Sequence, residues 1–192
     1  MSSMTDMLLS QLGDGGLESL SQSLGANPQA TKTAAAAALP MLMAALAKNA
    51  STEDGASALA SALDRDHDGS ILDKLAGGFS DDTGAVGDGI LKHVLGGQRG
   101  VAEAGIAQAS GLDTGQSAAM LAKLAPLVMG ALGQAKRSQS LDTGGVTELL
   151  RGEGGQAREK LGGLAGLLDR DGDGNVADDL LGGLGRSLFG RG

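Results

Sequence analysis

Two acidic stretches hold the residues best suited to chemistry in this chain. They are Asp169-Arg-Asp-Gly-Asp-Gly-Asn-Val-Ala-Asp178 and Asp64-Arg-Asp-His-Asp-Gly-Ser-Ile-Leu-Asp73. Both read D-R-D-x-D-G, with a β-branched apolar residue at the eighth position and Asp at the tenth. Carboxylates on alternate residues converge their oxygens on one centre, and glycine at the sixth position admits the sharp turn that closes the loop. That is how a short loop wraps a hard cation, and it points to calcium. The side-chain ligands in this reading are Asp64, Asp66, Asp68 and Asp73 in the first loop and Asp169, Asp171, Asp173 and Asp178 in the second. Ser70 and Asn175 supply backbone carbonyls, and Asp179 can stand in for Asp178. The twelfth position, where a bidentate glutamate adds most to affinity, holds Leu75 and Leu180. A weak site follows, with a dissociation constant of roughly 10⁻⁴ M or poorer, and magnesium is the second candidate. Asp and Gly also form ordinary turns. One such stretch could be only that, but two with the same eighth and tenth residues favour cation binding.

The remaining polar residues assemble no active site. His67 falls at the outward-facing fourth loop position. His93 lies beside Ile90, Leu91 and Val94, which suggests a half-buried structural residue, with no Ser, Cys or carboxylate constellation near it in sequence. Gly96-Gly-Gln-Arg-Gly100 lacks both a preceding strand and the G-K-[ST] of a phosphate loop. Catalytic residues are therefore expected to be absent, and the chain is read as a non-enzyme. Met41, Met43, Met120 and Met129 read as adaptable core filler, with a partner-binding face as the alternative.

Composition says what can hold such loops. The chain has 192 residues, no Trp, Tyr or Cys, and only Phe79 and Phe189 as aromatics. Glycine accounts for 34 residues, well above the usual ~7%, so the core must be built from Ala, Leu and Met on closely approaching helices. Each interior helical glycine costs about 1 kcal/mol against alanine, which makes support from a cation or from self-association valuable. A net charge of −8 repels phosphate and anionic lipid and argues against nucleic acid as a partner. The first residues lack the basic and apolar regions of a secretory signal. The longest apolar run, Ala34 to Ala47, is too short and alanine-rich for a membrane span. A cytoplasmic location is the expectation.

Along the chain, residues 5–12 suggest a short helix stopped by Gly13. A second carries Leu17, Leu20 and Leu24 on one face and stops at Gly25. Asn27-Pro28 is a helix start, and Pro40 should kink or break the helix that follows. Ser51-Thr-Glu-Asp54 resembles a capping box for a helix through Leu63, and a short helix from Ile71 to Ala76 leaves the first loop. Phe79 to Gly89 is polar and Gly-rich and reads as a linker. Helices at 90–95, 101–110 and from Asp113 or Thr114 to about Arg137 come next. A short helix over 142–150, a loop over 151–156 and a Gly-interrupted helix over 157–168 lead into the second acidic loop, and a helix over 176–188 leaves it.

An internal repeat connects these elements. Leu39-Pro-Met-Leu-Met-Ala-Ala-Leu46 matches Ala125-Pro-Leu-Val-Met-Gly-Ala-Leu132, with Pro126 placed 86 residues after Pro40 (126 − 40). Gly25 and Asn27 fall on Gly111 and Asp113 at the same spacing. The expected architecture is all-α: two tandem small helical bundles related by this repeat, each followed by an acidic loop. The first unit would span 1–79 with its loop at 64–73, a linker 80–89, and the second unit 90–192 with its loop at 169–178.

Ile90-Leu-Lys-His-Val-Leu-Gly-Gly97, Ser110-Gly-Leu-Asp-Thr-Gly-Gln116 and Leu124-Ala-Pro-Leu-Val-Met-Gly130 together resemble the bacterial DUF937, or YidB-like, family over about residues 90–150. The first half looks like a weaker copy, with Asn27-Pro28 in place of the family's Asp-Thr/Ser. The resemblance implies a small helical fold likened to a homeodomain, and no catalytic residues. The acidic stretches are similar to the EF-hand-like loops of dockerins and of the excalibur motif; the latter has Cys at nine, where Leu72 and Ala177 stand here. The resulting expectation is a non-enzymatic calcium-binding protein that acts through protein–protein contact or self-assembly. A homeodomain-like nucleic-acid-binding regulator is the alternative.

Overall fold

The computed structural model describes residues 3–65 and 81–168. Among the described residues seven α-helices carry the fold and there is no strand. They are α1 (Met4–Leu24), α2 (Pro28–Asn49), α3 (Glu53–Arg65), α4 (Asp81–Val94), α5 (Arg99–Ser110), α6 (Thr114–Ser138) and α7 (Thr143–Leu168), with a 3₁₀ turn at Gly96–Gln98 before α5.

Local chemistry sets the helix ends. Ser3 caps α1 reciprocally with Asp6, and Gly13 (φ 54°, ψ −173°) breaks the helix where two short helices were expected. Gly25 and Gly111 close α1 and α5 in the left-handed conformation that glycine adopts without a Cβ penalty. The Asn27 side chain accepts from the Gln29 N–H, and Pro28 opens α2. Asp113 and Gln116 form a full capping box on α6. Hydroxyls one turn inside repeat the pattern: Thr31 donates to the Asn27 carbonyl and Ser117 to that of Asp113. At α3 the cap is Thr52, whose hydroxyl accepts from the Gly55 N–H. Ser51 instead donates to the Lys48 carbonyl at the end of α2.

α2 and α6 sit at the centre and touch each other. α2 packs against α1, α5 and, most extensively, α7, while α6 packs against α4, α5, α1 and α3. One hydrophobic core runs through both halves of the chain, with Leu20, Leu39, Leu42, Met43, Leu91, Ile106, Met120, Leu124 and Leu132 buried in it. Met129 is 4% exposed, so three of the four methionines read as filler are core residues, and Met41 packs partly against them. By length and composition α2 and α6 could each cross a bilayer. In the fold much of their apolar surface is covered by neighbouring helices.

Three local expectations differ from the structure. Helices α2 and α6 run unbroken through Pro40 and Pro126, both of which are buried. Residues 81–89, read as linker, form the first part of α4. Residues 151–156, read as loop, lie inside α7. Glycine explains the last two. Gly87 is buried on α4, and a Cβ built there would lie 1.6 Å from the carbonyl oxygen of Ala122 on α6. Gly154 is buried on α7, and a Cβ there would lie 2.7 Å from the Cβ of Ala47 on α2. These glycines let helix backbones meet, and burial at the crossing offsets their poor helix propensity.

Candidate functional site

Of the ten residues expected to bind a cation, Asp64 lies among the described residues. It sits one residue before the end of α3, and its carboxylate accepts from Lys136 Nζ of α6 at 2.5 Å. The Asp64 side chain is 57% exposed and that of Lys136 is 15% exposed, so a largely buried lysine meets a largely exposed carboxylate. The pair joins the helix entering the first acidic stretch to the C-terminal turn of a central helix. Asp66, Asp68, Ser70, Asp73, Asp169, Asp171, Asp173, Asn175 and Asp178 lie outside the described residues, as do His67 and the helices expected at 71–76 and 176–188. The second stretch begins directly after Leu168, the last residue of α7. Among the described residues, no three His, Asp or Glu side chains gather in a metal-binding group.

Beside α3 runs a groove of about 660 Å³. The end of α2, α3, α4 and Met129 of α6 line it. Its walls are mainly apolar: Leu46, Leu59, Ala62, Val86, Ile90 and Val94 contribute, and Asn49, Arg65 and His93 are the polar side chains. Asn49 binds the walls together, its amide donating to the carbonyls of Ala45 (3.2 Å) and Val94 (2.7 Å). His93, expected to be half-buried, is exposed, with Nδ1 2.9 Å from the Gly89 carbonyl. A carbonyl only accepts, so Nδ1 carries the proton and Nε2 is the acceptor of the neutral ring. Arg65 donates through Nε to the Ser61 carbonyl at 3.4 Å.

Other polar links stabilise the architecture. Gln116 Nε2 donates to the carbonyls of Leu24 and Gly25, each at 3.3 Å, joining the start of α6 to the end of α1. Glu153 of α7 accepts from the Met4 N–H at 2.9 Å, adding a carboxylate at the positive end of α1. Arg99 bridges Glu103 and Asp88, both at 2.7 Å. Its hydrogen bond to Glu103 raises its pKa above the ordinary arginine value, burial opposes this, and Asp88 adds to the rise. These contacts were not legible in the sequence because most join residues far apart along the chain. None of them sets a nucleophile beside a base.

A family model described as bacterial protein of unknown function (DUF937) matches residues 6–135. The match takes in α1 through nearly all of α6 and includes the first acidic stretch. It thus reaches across the first half of the chain, where the sequence suggested only a weaker copy, and ends before α7 and the second stretch. No curated protein and no solved structure matches the chain.

Proposed function

Because the chain belongs to the DUF937 family, we propose that it is a non-enzymatic, calcium-binding helical protein of two tandem YidB-like units, working through contact with a protein partner or with copies of itself in the cytoplasm. The observation that carries this reading is the pair of matched D-R-D-x-D-G stretches. One begins at the end of α3 and the other directly follows α7. A helix running straight into an oxygen-rich loop is the entry that EF-hand-like sites use. Each cation would draw about four carboxylates together and relieve their mutual repulsion in a chain of net charge −8. It would thereby stabilise the helices around it, since a ligand that binds only the folded state adds to stability by mass action. Magnesium is the competing occupant. The repeat supports the two-unit reading through Asn27 and Asp113, Thr31 and Ser117, and Pro40 and Pro126, each pair 86 residues apart.

Thermal melting followed by circular dichroism, first in EDTA and then with millimolar calcium or magnesium, tests the proposal. Calcium should raise the melting temperature more than magnesium does. Asp169→Ala with Asp171→Ala should remove the part of the rise due to the second loop. A wild-type melt that calcium leaves unmoved sinks the cation reading.

A further inference from the structure

The geometry points to a second binding site, beside the first acidic stretch and separate from its carboxylates: we propose that the groove between α3 and α4 takes the tail of an unbranched aliphatic carboxylate, with its head group held at Arg65. Three observations combine in this assignment. The groove, about 660 Å³, falls within the range of small-ligand sites and is apolar along most of its wall. Val86 on that wall is 53% exposed, one of two large apolar side chains left so open among the described residues. Finally, the charged side chain among the lining residues is the cationic Arg65, although the chain as a whole is acidic. Among the described residues Arg65 makes no ion pair, and its Nε contact to Ser61 leaves the terminal guanidinium nitrogens to act as a fork for a carboxylate. The Asn49 amide is already committed to Ala45 and Val94, so it holds the walls together. A fully polar anion would leave the apolar wall wet, and a neutral lipid would make no use of the Arg65 fork. An amphipathic carboxylate satisfies both.

The probes are octanoate, decanoate and dodecanoate below their micelle concentrations, titrated calorimetrically into the full chain in EDTA so that no calcium soap forms. Affinity should rise with chain length by up to about fourfold per methylene where the added group is fully buried. Dodecanol and dodecylamine should bind at least tenfold more weakly than dodecanoate. Arg65→Gln should remove that preference for the carboxylate. Val86→Asp, at an exposed position, should weaken all three acids while leaving the melting curve within a few degrees of wild type. No saturable binding by dodecanoate overturns the proposal. So do equal affinities for acid, alcohol and amine, or an Arg65→Gln variant that still prefers the acid. Since every titration is done without calcium, failure here leaves the cation reading untouched, and failure of the cation reading leaves this one standing.

Discussion

α2 and α6 occupy matching places, yet they deal with the same defect in opposite ways. Each carries a proline twelve residues inside its first residue (40 − 28 and 126 − 114). Proline has no N–H, so the carbonyl four residues earlier loses its helical partner. In α2 that carbonyl belongs to Ala36, an exposed residue that water can reach. In α6 it belongs to Ala122, which is only 4% exposed. There Gly87 of α4 comes in so closely that the Cα hydrogen a side chain would replace points at the Ala122 oxygen. A Cα–H···O contact is a weak partner, but it is available where no N–H and little water can be. The comparison explains why a glycine is needed inside α4, and why the proline that should break a helix is tolerated in both.

Substitutions can break or sharpen that contrast. Gly87→Ala forces α4 and α6 apart, because its Cβ would fall 1.6 Å from a backbone oxygen that cannot swing away. A loss of about 3 kcal/mol or more is expected in denaturant unfolding. On the same helix Gly84 faces open space, so Gly84→Ala should be neutral or stabilise by up to ~1 kcal/mol. If the two variants behave alike, the crossing is not held by Gly87.

At the other crossing, Gly154→Ala sets two Cβ atoms 2.7 Å apart and should cost about 1–3 kcal/mol. Ala47→Gly in the same chain should recover part of that loss. A double-mutant cycle reads the coupling directly, and additive effects would mean that α2 and α7 do not meet there. The caps give a smaller contrast. Asp113→Ala removes a reciprocal capping box and Asn27→Ala a single side-chain bond. Both should cost about 1 kcal/mol, with Asp113 the larger because Gln116, which also holds the end of α1, loses its anchor. The smallest effect belongs to Lys136→Met. Its partner Asp64 is more than half exposed, so the melting curve should shift by the equivalent of less than about 1 kcal/mol, and less still in high salt.

The helix ends were the most legible part of the sequence. Gly25, Asn27-Pro28, Gly111 and Asp113 act on backbone groups within a few residues, so their meaning does not depend on the rest of the fold. The misread stretches, 81–89 and 151–156, were misread for one reason. Locally, glycine is a helix breaker; Gly87 and Gly154 are placed for neighbours 35 and 107 residues away (122 − 87 and 154 − 47), which no local pattern reveals. The prolines misled in the same way, since burial of the surrounding helix outweighs one lost hydrogen bond. At the candidate cation site the ligand pattern could be read but its first contact could not. Lys136 reaches Asp64 only because α6 runs past the end of α3.

The partnership of α2 with α7 has a consequence for how the molecule is made. The largest helix contact of α2 is supplied by a segment that starts almost a hundred residues later, at Thr143. As the chain leaves the ribosome, the part of α2 that packs on α7 therefore stays uncovered until α7 has been synthesised. A synthesis pause before α7 would leave the surface of α2 that α7 covers open to chaperones or to another nascent copy.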